Sequence, residues 1–140
     1  MFEVWWSFTK EMTNMKKLLT IFLLLFSING HCEWTKLVDN DETSSYIDKT
    51  TIKKNGSFVK VWELLDYKTP QELNSGKYKS SVILFEYDCK DERRRILSLV
   101  EYTEQMGIGK QILTIDDPDK WSYVKPNTMQ FLLMKSLCSR

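Results

Sequence analysis

An α+β fold is what this 140-residue chain predicts: an antiparallel sheet of about six strands packed with one C-terminal helix and held by one disulfide. Three observations carry that expectation. Runs of alternating apolar and polar residues recur from Trp34 to Val124, separated by short turn signals. Asn55-Gly56 lies between two such runs and is the strongest short hairpin signal a sequence offers. After Pro126 the apolar spacing becomes helical. No strand–helix–strand alternation appears, so a parallel nucleotide-binding sheet is not expected.

The elements follow in order. Trp34 to Val38 alternates large apolar with polar residues and reads as a first strand. Asp39 to Ser45 is a polar, acidic turn region. Ser45 to Asp48 and Thr51 to Lys54 form a second strand interrupted by Lys49-Thr50, and after Asn55-Gly56 the β-branched and aromatic run Phe58 to Tyr67 returns as its partner. Lys68 to Tyr78, with Pro70, Asn74, Ser75 and Gly76, reads as a loop. Ser80 to Cys89 is a strong strand, with Val82, Leu84 and Glu86 on one face and Ile83, Phe85, Tyr87 and Cys89 on the other. Lys90-Asp91-Glu92 turns into Arg93 to Tyr102, where strict alternation sets Arg95, Leu97, Leu99 and Glu101 opposite Ile96, Ser98, Val100 and Tyr102. Met106 to Gly109 is a flexible turn, Gln111 to Ile115 a further strand, and Asp116 to Asp119 ends it. Trp121, Tyr123 and Val124 suit a short edge segment. Asn127 or Thr128 can cap the closing helix, whose apolar positions are Met129, Leu132, Leu133 and Leu137, running to Cys138.

The N-terminal third carries a targeting signal. Met15-Lys16-Lys17 precedes the apolar run Leu18 to Phe26, and Ser27 to Gly30 follows, the layout of a secretory signal peptide over residues 15–32. The run falls short of the roughly 20 apolar residues that cross a bilayer as a helix. Residues 1–14, with Trp5, Trp6, Glu3 and Glu11, do not suit the head of such a signal and read as a misannotated start. Cleavage after Cys32 leaves Gly30 and Cys32 at the two small-residue positions, and cleavage after Gly30 also works although it places the bulky Ile28 at one of them. His31 stands before Cys32 where a lipobox carries a small residue, so membrane attachment is expected only if Cys32 is lipidated, and a soluble exported protein is the expectation. Residues 33–140 then make one domain, exported to the periplasm or the cell surface and outer membrane.

Composition excludes several chemistries. Removing residues 1–32 leaves 17 basic and 17 acidic residues, a balance that argues against nucleic-acid binding. The only histidine is His31, so serine–histidine and cysteine–histidine nucleophile pairs and histidine metal sites are not expected. Cys89 and Cys138 are the two body cysteines, an even pair that reads as a disulfide in an oxidising compartment, and their spacing is not C-x-x-C. Asp116, Asp117 and Asp119 lack the glycine and closing glutamate of a calcium loop. Glu86 and Asp88, with Glu101 on the neighbouring strand, offer paired carboxylates, but nothing around them supplies a nucleophile, so pairing with Arg94 or Arg95 is expected instead of acid–base chemistry. No catalytic residue, cofactor or metal is expected.

Taken together, Tyr46-Ile47-Asp48, Asn55-Gly56 with Val59-Lys60-Val61-Trp62, Leu65-Asp66-Tyr67, Glu86 to Cys89, Arg93 to Leu97, Met106 to Gly109, Trp121, Pro126 and Cys138 form an ordered set spanning most of residues 33–140. In that set the chain resembles the bacterial surface-adhesin protein E family. The resemblance implies an antiparallel sheet packed with a helix. It also implies an exposed envelope adhesin of Gram-negative bacteria that binds host extracellular-matrix or plasma proteins. The alternative is a periplasmic accessory or small-ligand-binding domain with no role in adhesion. Candidate partner-binding residues are the run Arg93, Arg94 and Arg95, since guanidinium forks suit carboxylates and sulfates, with Lys53 and Lys54 beside the hairpin and Lys77 and Lys79 in the long loop. Trp34, Trp62, Trp121 and the tyrosines supply either a sheet core or an interface. An open strand edge can pair two copies into a homodimer.

Overall fold

The structure, a computed structural model, describes residues 33–139. The signal peptide, the start at residues 1–14, His31 and the modification state of Cys32 lie outside the described residues. Among these residues eight antiparallel strands and one α-helix follow in sequence: β1 (Trp34–Asp39), β2 (Thr43–Asp48), β3 (Lys53–Asn55), β4 (Phe58–Leu73), β5 (Gly76–Asp88), β6 (Arg93–Tyr102), β7 (Gln111–Ile115), β8 (Ser122–Tyr123) and α1 (Met129–Cys138). Six strands form the main path, in the order β1-β2-β4-β5-β6-β7, while β3 pairs with β4 and β8 with β6. β3 is the second half of the expected interrupted strand, split from β2 by a turn at Lys49–Thr51, and β8 is the expected short edge segment, so both are short additions of three and two residues.

Turn chemistry sets the hairpins. Asn55 pairs with Phe58, so the β3–β4 loop is Gly56-Ser57. Gly56 has φ +59° and Ser57 is not in the left-handed region, the pattern of a type II′ turn with glycine first. The segment 68–78, expected as a loop, is instead the end of a long ribbon. β4 runs on to Leu73, which pairs with Gly76 across Asn74-Ser75. Pro70 falls where the β4–β5 register shifts between Asp66 and Gln71, a bulge that tolerates its missing N–H.

A second bulge changes the face assignment of β6. Leu84 pairs with Ser98 and Phe85 with Ile96, so Leu97 is the extra residue. Strict alternation sets Ile96 and Leu99 on opposite faces; the bulge brings both under the helix, where they pack against the core. It also turns Glu101 away from Glu86, since Glu101 pairs with Ser81 and Glu86 with Arg95.

The main core lies between one sheet face and α1. Ile47, Val59, Val61, Ile83, Phe85 and Tyr87 meet Val124, Met134 and Leu137. Thr128 caps α1, its hydroxyl accepting from the Phe131 N–H at 3.2 Å, while Asn127 takes a left-handed backbone at φ +61°. The helix buries Met134 and Leu137 with Phe131 partly covered, whereas Met129 and Leu132, two of the apolar residues at helical spacing, are 49% and 60% exposed. Steps of three residues from Phe131 keep one stripe on the sheet, which Met129 and Leu132 miss. Cys89, just after β5, is bonded to Cys138 at the end of α1, with Cα atoms 5.7 Å apart.

The second sheet face has its own cover. The segment 103–110 folds over Leu64 and Val82. It is held by the Met106 N–H donating to Asp66 Oδ1 at 2.7 Å and the Gly107 N–H donating to Ser80 Oγ at 3.0 Å. Gly107, at φ +71°, is needed here because a Cβ would lie 3.0 Å from Val82 Cγ2 and 3.4 Å from Leu64 Cδ1.

Candidate basic and aromatic interface

Cross-strand register converts scattered charges into a row. Lys53 pairs with Lys60, Lys60 with Glu86 and Glu86 with Arg95, so one line of three cations around a single acid crosses β3, β4, β5 and β6 on the face away from α1. The next line on that face is Asn55, Phe58, Asp88 and Arg93. Trp121, carried by the segment that the Asp119 N–H ties to the Ile96 carbonyl at 2.9 Å, covers both lines. Its ring lies 4.4 Å from Arg95 Cζ, 5.0 Å from Arg93 Cζ and 5.9 Å from the Phe58 ring.

The two arginines are fixed by buried acids. Arg95 donates twice to Glu86 Oε2, from Nε at 2.9 Å and Nη2 at 2.7 Å. Arg93 Nε donates to Asp88 Oδ2 at 3.0 Å and Nη2 approaches Asp91 at 3.1 Å. Burial acts to raise the Asp88 carboxyl, but the Arg93 bond and the backbone N–H groups of Asp91 and Lys90 outweigh it, and Asp88 titrates below its ordinary range. Both guanidinium side chains stay 31% exposed. Held on one side by acids and on another by an indole, they present rigid donor edges outward. Lys60, 3.6 Å from Glu86, and exposed Lys53 extend the cationic surface.

The seven basic candidates therefore fall into three places. Arg93, Arg95 and Lys53 share the Trp121 face. Arg94 and Lys54 leave their strands on the α1 side, Arg94 opposite Tyr87 and Lys54 opposite Val59. Lys77 and Lys79 stand on the far ribbon, paired with Glu72 at 2.9 Å and Glu104 at 3.0 Å. Sequence reading missed Lys60 as part of this surface, although its even-number spacing with Phe58 and Trp62 already set the three on one face.

Beneath α1 lies a buried acid. Glu63 sits in the floor of a groove of about 400 Å3 between α1 and β1–β2, walled by Leu37, Ile47, Leu65 and Leu133. The Tyr87 hydroxyl donates to Glu63 Oε1 at 2.5 Å. Burial pushes the Glu63 carboxyl up, against the opposing effects of that bond and of the Arg94 charge. An acid raised on folding stabilises less as pH climbs from its unfolded value through its folded one. The gain in melting temperature of Glu63→Gln over the parent is therefore expected to grow over the pH range above the ordinary glutamate value of 4.5. A difference constant across that range would refute the buried-acid account.

Glu86 and Asp88 share a face but are each committed to an arginine, and Glu101 lies on the other face, accepting from Ser81 Oγ at 2.6 Å. Among the described residues no cluster of three or more His, Cys, Asp or Glu is placed to hold a metal, and no helix is long and apolar enough to cross a membrane.

A sheet backed on one side by a disulfide-tied helix, with a rigid basic and aromatic surface on the other, defines a small binding domain. The chain belongs to the surface-adhesin protein E family, whose sequence profile matches residues 34–139. Its fold is similar to crystal form II of Haemophilus influenzae protein E, at a TM-score of 0.59 and 16% identity, covering 76% of this chain and 87% of that one. It is likewise similar to protein E from non-typeable Haemophilus influenzae, at a TM-score of 0.61 and 14% identity, covering 80% of this chain and 79% of the other. None of the curated proteins matches.

Proposed function

We propose that this protein is a surface adhesin that binds host extracellular-matrix or plasma proteins without catalysis, after export by the signal at residues 15–32. Membership of the surface-adhesin family supports the reading as a whole. The observation that carries it to a site is the Trp121 face, where Arg93 and Arg95 lie against an indole beside a phenyl ring and Lys60 and Lys53 continue the same cross-strand line. Tryptophan, tyrosine and arginine dominate the energetics of protein interfaces, and arginines already held in place lose little freedom on binding. The commitment of Glu86 and Asp88 to these arginines supports a binding role over an acid–base one.

Antibody labelling of intact cells is expected to reach the protein, and those cells are expected to be retained on immobilised matrix and plasma proteins. Labelling only after permeabilisation would sink adhesion and leave the periplasmic alternative. On the molecular side, Lys53→Glu combined with Lys60→Glu is expected to weaken capture of the host protein by roughly tenfold, mostly through slower association. Unchanged capture would move the contact elsewhere. Two copies would meet along β1 or β7, the ends of the main strand path, and sedimentation of the purified protein reads that directly.

A further inference from the structure

We infer that the groove beside Arg94 is a carboxylate-binding site that receives an acidic side chain of a partner protein, on the face opposite Trp121. This rests on the adhesin reading and assigns it a second contact. Three consecutive arginines leave β6 on alternating sides, and their fates differ. Arg93 and Arg95 are neutralised by Asp88 and Glu86. Among the described residues no carboxylate lies within ion-pair distance of Arg94, whose guanidinium rests on the Phe85 ring at 4.4 Å. On its inner side Arg94 interacts with the Tyr87 hydroxyl, and its charge reaches the buried Glu63 that accepts that hydroxyl, so only its outward donor edge faces the groove.

Arg94 lines an open groove of about 270 Å3 with Ser122, Tyr123, Lys125, Thr128 and Gln130, a wall without a single acid. The Thr128 hydroxyl is committed to the Lys125 carbonyl and the Phe131 N–H, so it shapes the wall and leaves Arg94, Lys125, Ser122 and Gln130 as donors. Tyr123, 78% exposed, stands at the rim as an aromatic surface for the apolar stem of an incoming residue. A planar guanidinium fork matches a carboxylate better than a point charge does. The balanced charge of the domain and the nearby Glu92, paired with Lys135, favour one inserted carboxylate over an extended polyanion.

Nitrogen-15 spectra of the purified protein, titrated at low salt, test this with three probes: acetyl-tetraglutamate amide, acetyl-tetraglutamine amide and a heparin-derived tetrasaccharide. Tetraglutamate is expected to shift Arg94, Tyr123 and Lys125 selectively. Arg94→Gln and Lys125→Gln are each expected to weaken it by about fivefold or more, and Arg94→Lys to recover part of the loss. An equal response to tetraglutamine, a response to the sulfated probe alone, or unchanged affinity in Lys125→Gln would overturn the inference. Lys125 is exposed, so its variant keeps the test open should Arg94→Gln misfold. Cells that fail to adhere while tetraglutamate still binds would defeat the adhesin reading alone. Adhesion that persists without a tetraglutamate response would defeat the groove alone.

Discussion

Cys138→Ser is expected to lower the melting temperature by roughly 15–30 °C, the largest effect of any single change at the core. The bond closes a span of 49 residues, and in the chain-entropy account such a closure contributes about 4 kcal/mol. For a domain near 100 residues each kcal/mol shifts the midpoint by about 4–8 °C. The loss should concentrate in α1. Apart from Leu137, Met134 and partly buried neighbours, the helix has few anchors, and this link and the Lys135–Glu92 pair tie its last turn to the β5–β6 turn. Hydrogen exchange is the suitable readout: α1 amides should lose protection first, while β4 and β5 keep theirs. Uniform loss would mean that sheet and helix form one cooperative unit with no weaker part.

Leu64→Ala is the second large effect, expected at about 2–5 kcal/mol. Leu64 has no exposed surface, yet it lies on the face away from α1. If the segment 103–110 were only a surface connection, truncating Leu64 would cost little. Its packing beside Gly107 and Val82, and the anchoring of that segment on Asp66 and Ser80, make it a small second core. Chemical denaturation of the variant measures this. A loss below about 1 kcal/mol would show that the segment does not close over the sheet.

The strands were legible wherever local rules and tertiary demands agreed. Arg93 to Tyr102 and Gln111 to Ile115 have the bounds their alternation indicates, and Cys89 meets Cys138 as cysteine arithmetic suggested. Legibility failed where pairing overrides local signals. Pro70, Asn74 and Gly76 punctuate a loop in sequence, but strand partners on both sides convert the segment into a ribbon tip. Leu97 carries no mark of a bulge. The extra residue is specified by the need to set both Ile96 and Leu99 under α1, which only the folded register reveals. The same limit applies to the binding surface. The arginine run was visible at once, but its division between two faces follows from strand alternation, and Trp121 arrives from 26 residues downstream of Arg95.

The bond between Cys89 and Cys138 also bears on survival among proteases. The exposed connection from Asp116 to Lys120 lies inside the span it closes. A cut there would leave both pieces covalently joined, and the severed tail would remain tethered beside its own docking place. Digested material should migrate as a single band until a thiol is added, then separate into two.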